Sequence, residues 1–234
     1  MATKSAMVAN VRQLTGEQST KRYSDSYIGD LVARGYARVC RATGCMTSAP
    51  ISANSVQGQA RYKLSGFGSG AGARIFALKG AWYDSAKLYI RDWDTFQRKY
   101  PTWPFASNGR PSEVVFYDAN TLMLYPVPDT AGKAITIVGS TTPDLTAFTN
   151  NSVPEFHEDW HCLIEYHAAA TLECGIIDEQ AAAWRENRFG QLFWAGLLEM
   201  RHTLAHSAGV PRLGQRTEPG REFWLEYEFG EPIS

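Results

Sequence analysis

Apolar residues recur at spacings of three and four near the N-terminus and again between residues 152 and 206. Such spacing gathers apolar side chains on one face of a helix. The N-terminal helix is predicted to begin at Ser24-Asp25 and to end near Gly44. Its apolar face comprises Ile28, Leu31, Val32, Gly35 and Val39. Residues 1–20 have a weaker apolar rhythm, which predicts a short helix or an arm that orders on a partner.

The segment 152–206 predicts two amphipathic helices. Ser152-Val153-Pro154-Glu155 matches a capping box, in which the serine oxygen accepts a helix N–H and the glutamate reaches back to the cap. Gly175 is the predicted stop and Asp178 the predicted restart. The two apolar faces comprise Phe156, Trp160, Leu163, Ile164, His167, Thr171 and Cys174, then Trp184, Phe189, Leu192, Phe193, Leu197, Met200 and Leu204. The short link favours antiparallel packing.

From residue 48 to about residue 142 the pattern changes to short β-rich runs punctuated by Gly, Pro, Ser and Asn. The candidate strands are 60–64, 74–78, 87–90, 113–117, 121–125 and 134–138. Asp118-Ala119-Asn120 predicts a hairpin turn between two of them. Several short strands with such punctuation predict a small antiparallel sheet or a sandwich.

Four glycines fall between Gly66 and Gly72, and this run predicts a flexible hairpin loop. A phosphate-binding loop would need a helix after it, usually with a Lys-Ser/Thr pair. Here the residues from Arg74 onward predict a strand instead, so nucleotide binding is not expected.

The last residues, 207–234, predict an extended arm, because prolines and glycines exclude regular structure in their first half. Residues 222–229 then alternate like an amphipathic strand. Phe223, Leu225, Tyr227 and Phe229 fall on one side, and Glu222, Glu226 and Glu228 on the other. Such a strand either completes the chain's own sheet or adds to another subunit.

Together these patterns predict an α+β fold. A helical body, formed by the N-terminal helix and a C-terminal antiparallel helical hairpin, carries a central antiparallel β-domain insertion and an extended C-terminal arm. The predicted segments are 1–47, 48–150, 151–206 and 207–234. A chain of 234 residues is long enough to bury a core as one domain or two small ones.

Composition narrows the function classes. The net charge of −1 gives no sign of the basic surface that nucleic-acid binders carry. No apolar run approaches the length of a membrane span or of a signal peptide, so neither is expected. The cysteines at 40, 45, 162 and 174 form no C-x-x-C motif and are expected to be reduced, although a Cys40–Cys45 disulfide stays open.

His157-Glu158-Asp159-Trp160-His161 matches H-E-x-x-H, the motif of zinc proteases in which two histidines bind the metal and the glutamate activates water. On a continuous helix His157 and His161 would be roughly 40° apart, which allows a shared metal. His167 would be roughly 120° from His161 and is not expected to join them. A zinc-dependent hydrolase is therefore the alternative hypothesis. No other catalytic or cofactor-binding constellation stands out, so no cofactor and no enzyme activity are expected.

Seven pieces of the sequence, in this order and spacing, resemble the head–tail connector (neck adaptor) proteins of tailed bacteriophages. These pieces are Tyr23-Ser24-Asp25, residues 31–35, residues 100–103, Gly109-Arg110-Pro111, residues 122–129, residues 142–145 and residues 153–157 with the helix that follows them. The resemblance covers most of the chain and implies no catalytic residues.

The resemblance implies a structural virion protein of the neck, assembled in the host cytoplasm. Such adaptors form a ring, typically a dodecamer, beneath the portal protein ring. They extend the channel through which viral double-stranded DNA passes without sequence-specific binding, and they dock the tail component below. The C-terminal strand is then the candidate contact with the portal or an adjacent subunit, through Phe223, Trp224, Leu225, Tyr227 and Phe229.

A third hypothesis concerns the aromatic loop that contains Trp103 and Phe105. These rings could form a platform for a host-surface sugar if the β region were a tail-associated binding module.

Overall fold

The computed structural model describes residues 2–17, 22–175 and 182–207. These residues divide into two compact units. The helical unit takes its residues from Met1–Thr43 and Asp144–Ser234, and the β unit is Gly44–Pro143. The fold is α+β, as predicted. The four-segment division stays a prediction, and the C-terminal arm lies outside the described residues.

The described residues contain six α-helices. They are α1 (Lys4–Thr15), α2 (Asp25–Thr43), α3 (Trp93–Lys99), α4 (His161–Cys174), α5 (Ala182–Glu186) and α6 (Arg188–Ser207). The eight strands are β1 (Ile51–Asn54), β2 (Arg61–Lys63), β3 (Ile75–Tyr83), β4 (Ala86–Lys87), β5 (Tyr89–Arg91), β6 (Glu113–Asp118), β7 (Thr121–Tyr125) and β8 (Ala134–Thr141). Within this described part, no helix is both long and apolar enough to span a membrane.

Helix α2 follows its apolar pattern closely. All five residues of the predicted face are buried, and the helix ends at Thr43, directly before Gly44 with its positive φ of 62°. Gly35 is required by packing, because a Cβ there would lie 3.0 Å from the carbonyl oxygen of Ile164 on α4. Of the two possibilities for residues 1–20, the helix is confirmed as α1, with Met7, Val8 and Val11 buried.

The predicted capping box at Ser152 is wrong. The Ser152 hydroxyl accepts from the backbone N–H of Thr149 at 2.9 Å, and α4 begins only at His161, after a short 3₁₀ turn. Tertiary hydrogen bonds hold the intervening chain away from a helix: Lys4 N donates to Ser152 O at 2.9 Å, and Glu155 N donates to the Tyr36 hydroxyl at 3.0 Å. These long-range bonds outweigh the local cap pattern, which is a weak preference by comparison.

The second helix of the hairpin is interrupted at Asn187, whose side chain accepts from Phe189 N at 2.8 Å and so begins α6. Gly175 ends α4 in the left-handed conformation, as predicted. The predicted restart at Asp178 lies outside the described residues. Most of the second apolar face is buried, namely Trp184, Phe189, Phe193, Leu197 and Met200. Leu192 was wrongly placed on this face, since it remains 48% exposed.

The β unit contains two four-stranded sheets, with strand orders β1-β8-β3-β4 and β2-β7-β6-β5. Both sheets contribute side chains to one apolar core: Tyr62, Leu64, Val114, Leu122 and Leu124 from the β2 side, and Ile75, Ala81, Tyr83, Ile135 and Ile137 from the β1 side. Two sheets that face each other across a shared core form a sandwich, which decides between the two predicted arrangements.

Three details of the β prediction are wrong. The predicted strand 87–90 is two strands that pair in different sheets, β4 in the first and β5 in the second. The pairing of β5 with β6 is parallel rather than antiparallel, because α3 and the aromatic loop carry the chain back to the start of the sheet. Strand β1, which was not predicted, pairs with β8.

The glycine-rich run is not a flexible loop. It forms two 3₁₀ segments, Leu64–Gly66 and Gly68–Arg74, around the buried ring of Phe67. Gly68 and Gly70 have φ of 54° and 98°, and a Cβ on Gly72 would lie 2.2 Å from Leu64 O. The glycines therefore allow the backbone to fold tightly over Phe67.

Candidate functional site

The histidine motif is not arranged as a metal site. His157 precedes the 3₁₀ turn with its side chain 71% exposed, whereas His161 begins α4 and is buried. His161 Nε2 donates to Phe156 O at 3.0 Å, and His157 Nδ1 lies 3.2 Å from the Asp159 carboxylate. The two imidazoles therefore do not share a helical face, which the zinc motif requires.

His167 packs in the core of the helical unit, with its ring centroid 5.7 Å from that of Trp184 and 5.2 Å from that of Phe193. Across the described ranges, no group of three or more His, Cys, Asp or Glu residues is placed to hold a metal ion. The geometry of the motif thus does not favour the zinc hydrolase. The four cysteines are free thiols, so Cys40 and Cys45 are not bonded to each other.

The candidate contact residues Phe223, Trp224, Leu225, Tyr227 and Phe229 lie outside the described residues. The residues of the sugar-platform hypothesis are described. Trp103 packs against Trp93 and Phe96, with ring centroids 5.7 and 6.1 Å away, so only part of its surface is accessible. Phe105 is 90% exposed. Sugar binding by this loop stays a prediction.

The second sheet contains a buried charged residue, Glu113, which holds neighbouring elements against it. Glu113, at the start of β6, has its side chain 3% exposed; it accepts from Lys99 Nζ at 2.6 Å and from the Tyr100 hydroxyl at 3.0 Å. Arg91 Nε lies 3.4 Å from the other carboxylate oxygen. Burial alone would raise the pKa of Glu113, but the hydrogen bonds from Lys99 and Tyr100 and the charge of Arg91 lower it overall. This ionised group ties α3 and β5 to β6.

The β unit contains a groove of about 1070 Å³. We call it the edge groove, because it is lined by β1 and β2, each of which is an edge strand of its sheet. Its lining comprises residues of β1 and β2, the 3₁₀ segments, and the β6–β7 hairpin: Ser52, Ala53, Asn54, Val56, Gln59, Arg61, Tyr62, Lys63, Ser65, Gly66, Phe67, Gly68, Ser69, Tyr117, Asp118 and Thr121.

Two cations and one carboxylate set the charge of the edge groove. Arg61 lies over the ring of Tyr117, with Cζ 3.8 Å from the ring centroid, and Lys63 is exposed. The pKa of Asp118 is lowered, first by the hydrogen bond that its carboxylate accepts from Asn120 N at 2.8 Å and further by the nearby Arg61. At neutral pH the groove is therefore weakly cationic.

The backbone of β2 is open on the groove side. Leu124 N donates to Ala60 O at 2.9 Å and Leu64 N donates to Asn120 O at 2.8 Å. Hydrogen-bonded and non-hydrogen-bonded pairs alternate along an antiparallel ladder, so Arg61 and Lys63 direct their backbone groups away from β7. Gln59 Nε2 donates to the Arg61 carbonyl at 2.7 Å.

The sequence pattern did not identify this groove. Its best signal is the run Arg61-Tyr62-Lys63, in which two cations flank an inward aromatic ring on a very short strand, as is typical of a sheet edge. The opposite wall was missed entirely, because β1 was not predicted.

The chain also matches a known family. A family model described as SU10 adaptor protein matches residues 2–213. No curated protein matches the sequence.

Proposed function

Because the chain belongs to the SU10 adaptor protein family, we propose that it is the head–tail connector of a tailed phage and forms a ring beneath the portal. Family membership makes it a phage adaptor, a structural component of the virion that interacts with other head and tail proteins, and implies a non-enzymatic role. The observation that carries the proposal is the span of the match, residues 2–213, which includes the β unit and the described residues of the helical unit.

The ring extends the DNA channel and joins the tail component below it. The net charge of −1 supports this role, because a channel with many phosphate contacts would hold DNA instead of letting it slide. Assembly takes place in the host cytoplasm, and the finished ring lies in the neck of the virion with twelve copies matching the usual connector symmetry.

The contact with the portal or an adjacent subunit is made by four aromatic residues and one leucine of the C-terminal arm: Phe223, Trp224, Leu225, Tyr227 and Phe229. Aromatic side chains on one side of a strand supply large apolar area, while strand addition supplies main-chain hydrogen bonds. Family membership and this sequence pattern support the assignment of the arm as the contact.

Particle mass tests the proposal. Purified chain is mixed with portal rings of the same phage, and native mass is measured for the portal alone, the chain alone and the mixture. A discrete increase that equals a full ring of added copies is expected. The absence of any association, with the portal still assembled, would overturn the connector assignment.

A variant measured in the same experiment tests whether the aromatic residues of the arm make the contact. Changing Phe223, Trp224, Tyr227 and Phe229 together to serine removes the apolar contact and is expected to abolish docking. The matched control changes Glu222 to glutamine, which alters the charge of the segment and keeps its aromatic residues. Normal docking by the serine variant would show that these residues do not contact the portal.

A further inference from the structure

We propose that the edge groove receives residues 222–229 of a neighbouring copy, which add to β2 as one further strand. The inference rests on the proposed ring, since it needs copies side by side. It goes further by naming the surface that accepts the C-terminal segment and the residues that select it.

The first argument is the open backbone of β2. Strand β2 is the last strand in its sheet, and Arg61 and Lys63 direct their N–H and C=O groups away from β7. An added strand would pair with these groups and continue the sheet. Only the bond from Gln59 Nε2 to the Arg61 carbonyl would have to be exchanged for a backbone N–H of the added strand.

The second argument is a match of charges at the same spacing. Arg61 and Lys63 are two residues apart and lie on the exposed face of β2, while Tyr62 between them is buried. Glu226 and Glu228 are also two residues apart, with Tyr227 between them. In an antiparallel addition, the more stable pairing, Glu226 lies opposite Lys63 and Glu228 opposite Arg61 on the outer face, with Tyr227 beside Tyr62 on the inner face.

The guanidinium of Arg61 is well placed to bind a carboxylate. It is stacked over Tyr117, which orients the group and leaves the N–H donors in its plane available. Asp118 is the counter-charge on this side of the groove, and Arg61 contributes to the lowered pKa of its carboxyl. Because Asp118 already interacts with Arg61, the two incoming glutamates must share the cations with it. We therefore expect Lys63 to contribute most to binding them.

The third argument is the apolar surface that the groove leaves open. Val56 and Ala53 both line the groove: Val56 is 51% exposed, and Ala53 packs against the core while remaining partly accessible. Phe223, Leu225, Tyr227 and Phe229 share one side of the predicted strand, and that side would face the interior of the groove. The segment thus supplies apolar side chains where the sandwich edge is incompletely covered.

Strand β1 is the weaker acceptor. Its outward residues in the register with β8 are Ser52 and Asn54, which carry no charge to select glutamates. Residues 208–221 would span up to about 50 Å when extended, so residues 222–229 are not confined to the end of α6. Their prolines and glycines favour an extended connection over a helix.

Cysteine cross-linking between two full-length variants tests the inference. Lys63→Cys chains are mixed with Glu226→Cys chains before assembly on the portal, and the ring is then mildly oxidised. Opposed residues of an added strand lie within disulfide reach, so a covalent dimer is expected. Lys63→Cys with Tyr227→Cys is the matched control, because Tyr227 would lie on the other face. A ring without the Lys63–Glu226 product, or an equal yield from the control, would overturn the inference.

Charge exchange supplies a second, independent measurement. Lys63→Glu is expected to reduce the cross-link between Arg61→Cys and Glu228→Cys, the other opposed pair of this register, by about tenfold, since an attraction becomes a repulsion. Adding Glu226→Lys to the donor chain should restore the yield, which a variant that simply misfolds would not do. If Glu226→Lys does not restore the cross-link in correctly folded chains, the segment is not selected by charge.

The outcomes separate this inference from the proposed function. Rings that assemble on the portal without the cross-link would leave the connector intact and remove only the strand addition. Cross-linked copies that never associate with the portal would support strand addition and remove the connector.

Discussion

The helical unit and the β unit bury polar groups in different ways. In the helical unit, His167 lies between aromatic rings, and the Thr171 hydroxyl donates to His167 O at 2.9 Å. The β unit buries an ion, Glu113, with Lys99 and Arg91 beside it. An aromatic core depends on close packing, whereas a buried ion depends on its partners and on pH. The two units should therefore respond differently to substitution and to acid.

The largest expected effect is the loss of a fully buried ring from the helical unit. Trp184 is 0% exposed and contacts Phe193 with centroids 5.6 Å apart. Trp184→Ala should lower the free energy of unfolding of this unit by about 3–5 kcal/mol, because it leaves a large cavity. Chemical denaturation would measure the loss.

The control for this prediction lies on α6. Leu192→Ala removes a side chain that is 48% exposed and should cost less than about 1 kcal/mol. Equal losses from Trp184→Ala and Leu192→Ala would contradict the description of the helical core.

The next effect concerns the buried ion of the β unit. Glu113→Gln keeps the shape of the side chain but removes the charge that Lys99 and Arg91 face, and should destabilise the β unit by about 1–3 kcal/mol. Asp84→Asn is the matched control, since Asp84 and Lys133 are both exposed and their ion pair contributes little. Hydrogen exchange of β6 and β7 amides would measure both; a Glu113→Gln protein with unchanged protection would contradict a stabilising role for the ion.

Two glycines of α2 test close packing in the helical unit. A Cβ on Gly35 would meet the backbone of Ile164 at 3.0 Å, so Gly35→Ala should cost about 1–3 kcal/mol. A Cβ on Gly29 would instead meet the flexible side chain of Lys4 at 3.3 Å. Gly29→Ala should therefore be neutral or stabilising by up to about 1 kcal/mol, because alanine favours a helix. Thermal unfolding of both variants measures the contrast, and a tolerated Gly35→Ala would mean that α2 and α4 can separate easily.

The smallest expected effect is on pH dependence: acid should change the stability of the two units in opposite directions. The pKa of Glu113 is lowered, so its stabilisation is present above the unfolded-state pKa and is lost as pH falls through the folded-state pKa. The pKa of Glu165 is raised by burial, although Asn10 donates a hydrogen bond to it at 2.8 Å. Glu165 therefore costs stability above its folded-state pKa, and that cost is relieved as pH falls toward the unfolded-state pKa.

Hydrogen exchange as a function of pH measures this difference for each unit. Acidification should weaken protection in the β unit through Glu113, while Glu165 has the opposite effect on α1 and α4. Glu113→Gln and Glu165→Gln should each remove one contribution. Identical pH profiles for wild type and Glu165→Gln would argue against a raised pKa.

Local periodicity predicted the helices and strands well. The apolar face of α2 is buried as its spacing of three and four indicated, and β7 occupies the predicted residues 121–125. The hairpin turn at Asp118 forms as the turn residues indicated, with Asn120 N bonded to the aspartate. In each case the information lies within a few residues of the chain, and the sequence alone therefore determines the type of element and the side that faces the core.

Local patterns failed where distant residues compete with them. The cap at Ser152 is lost to bonds with Lys4 and Tyr36, and the histidine motif is divided between a 3₁₀ turn and a helix start. The edge groove depends on bringing β1 beside β2 and on ending both sheets there. Only the tertiary structure decides such outcomes, because they follow from which elements pair across long stretches of sequence, and periodicity carries no information about that pairing.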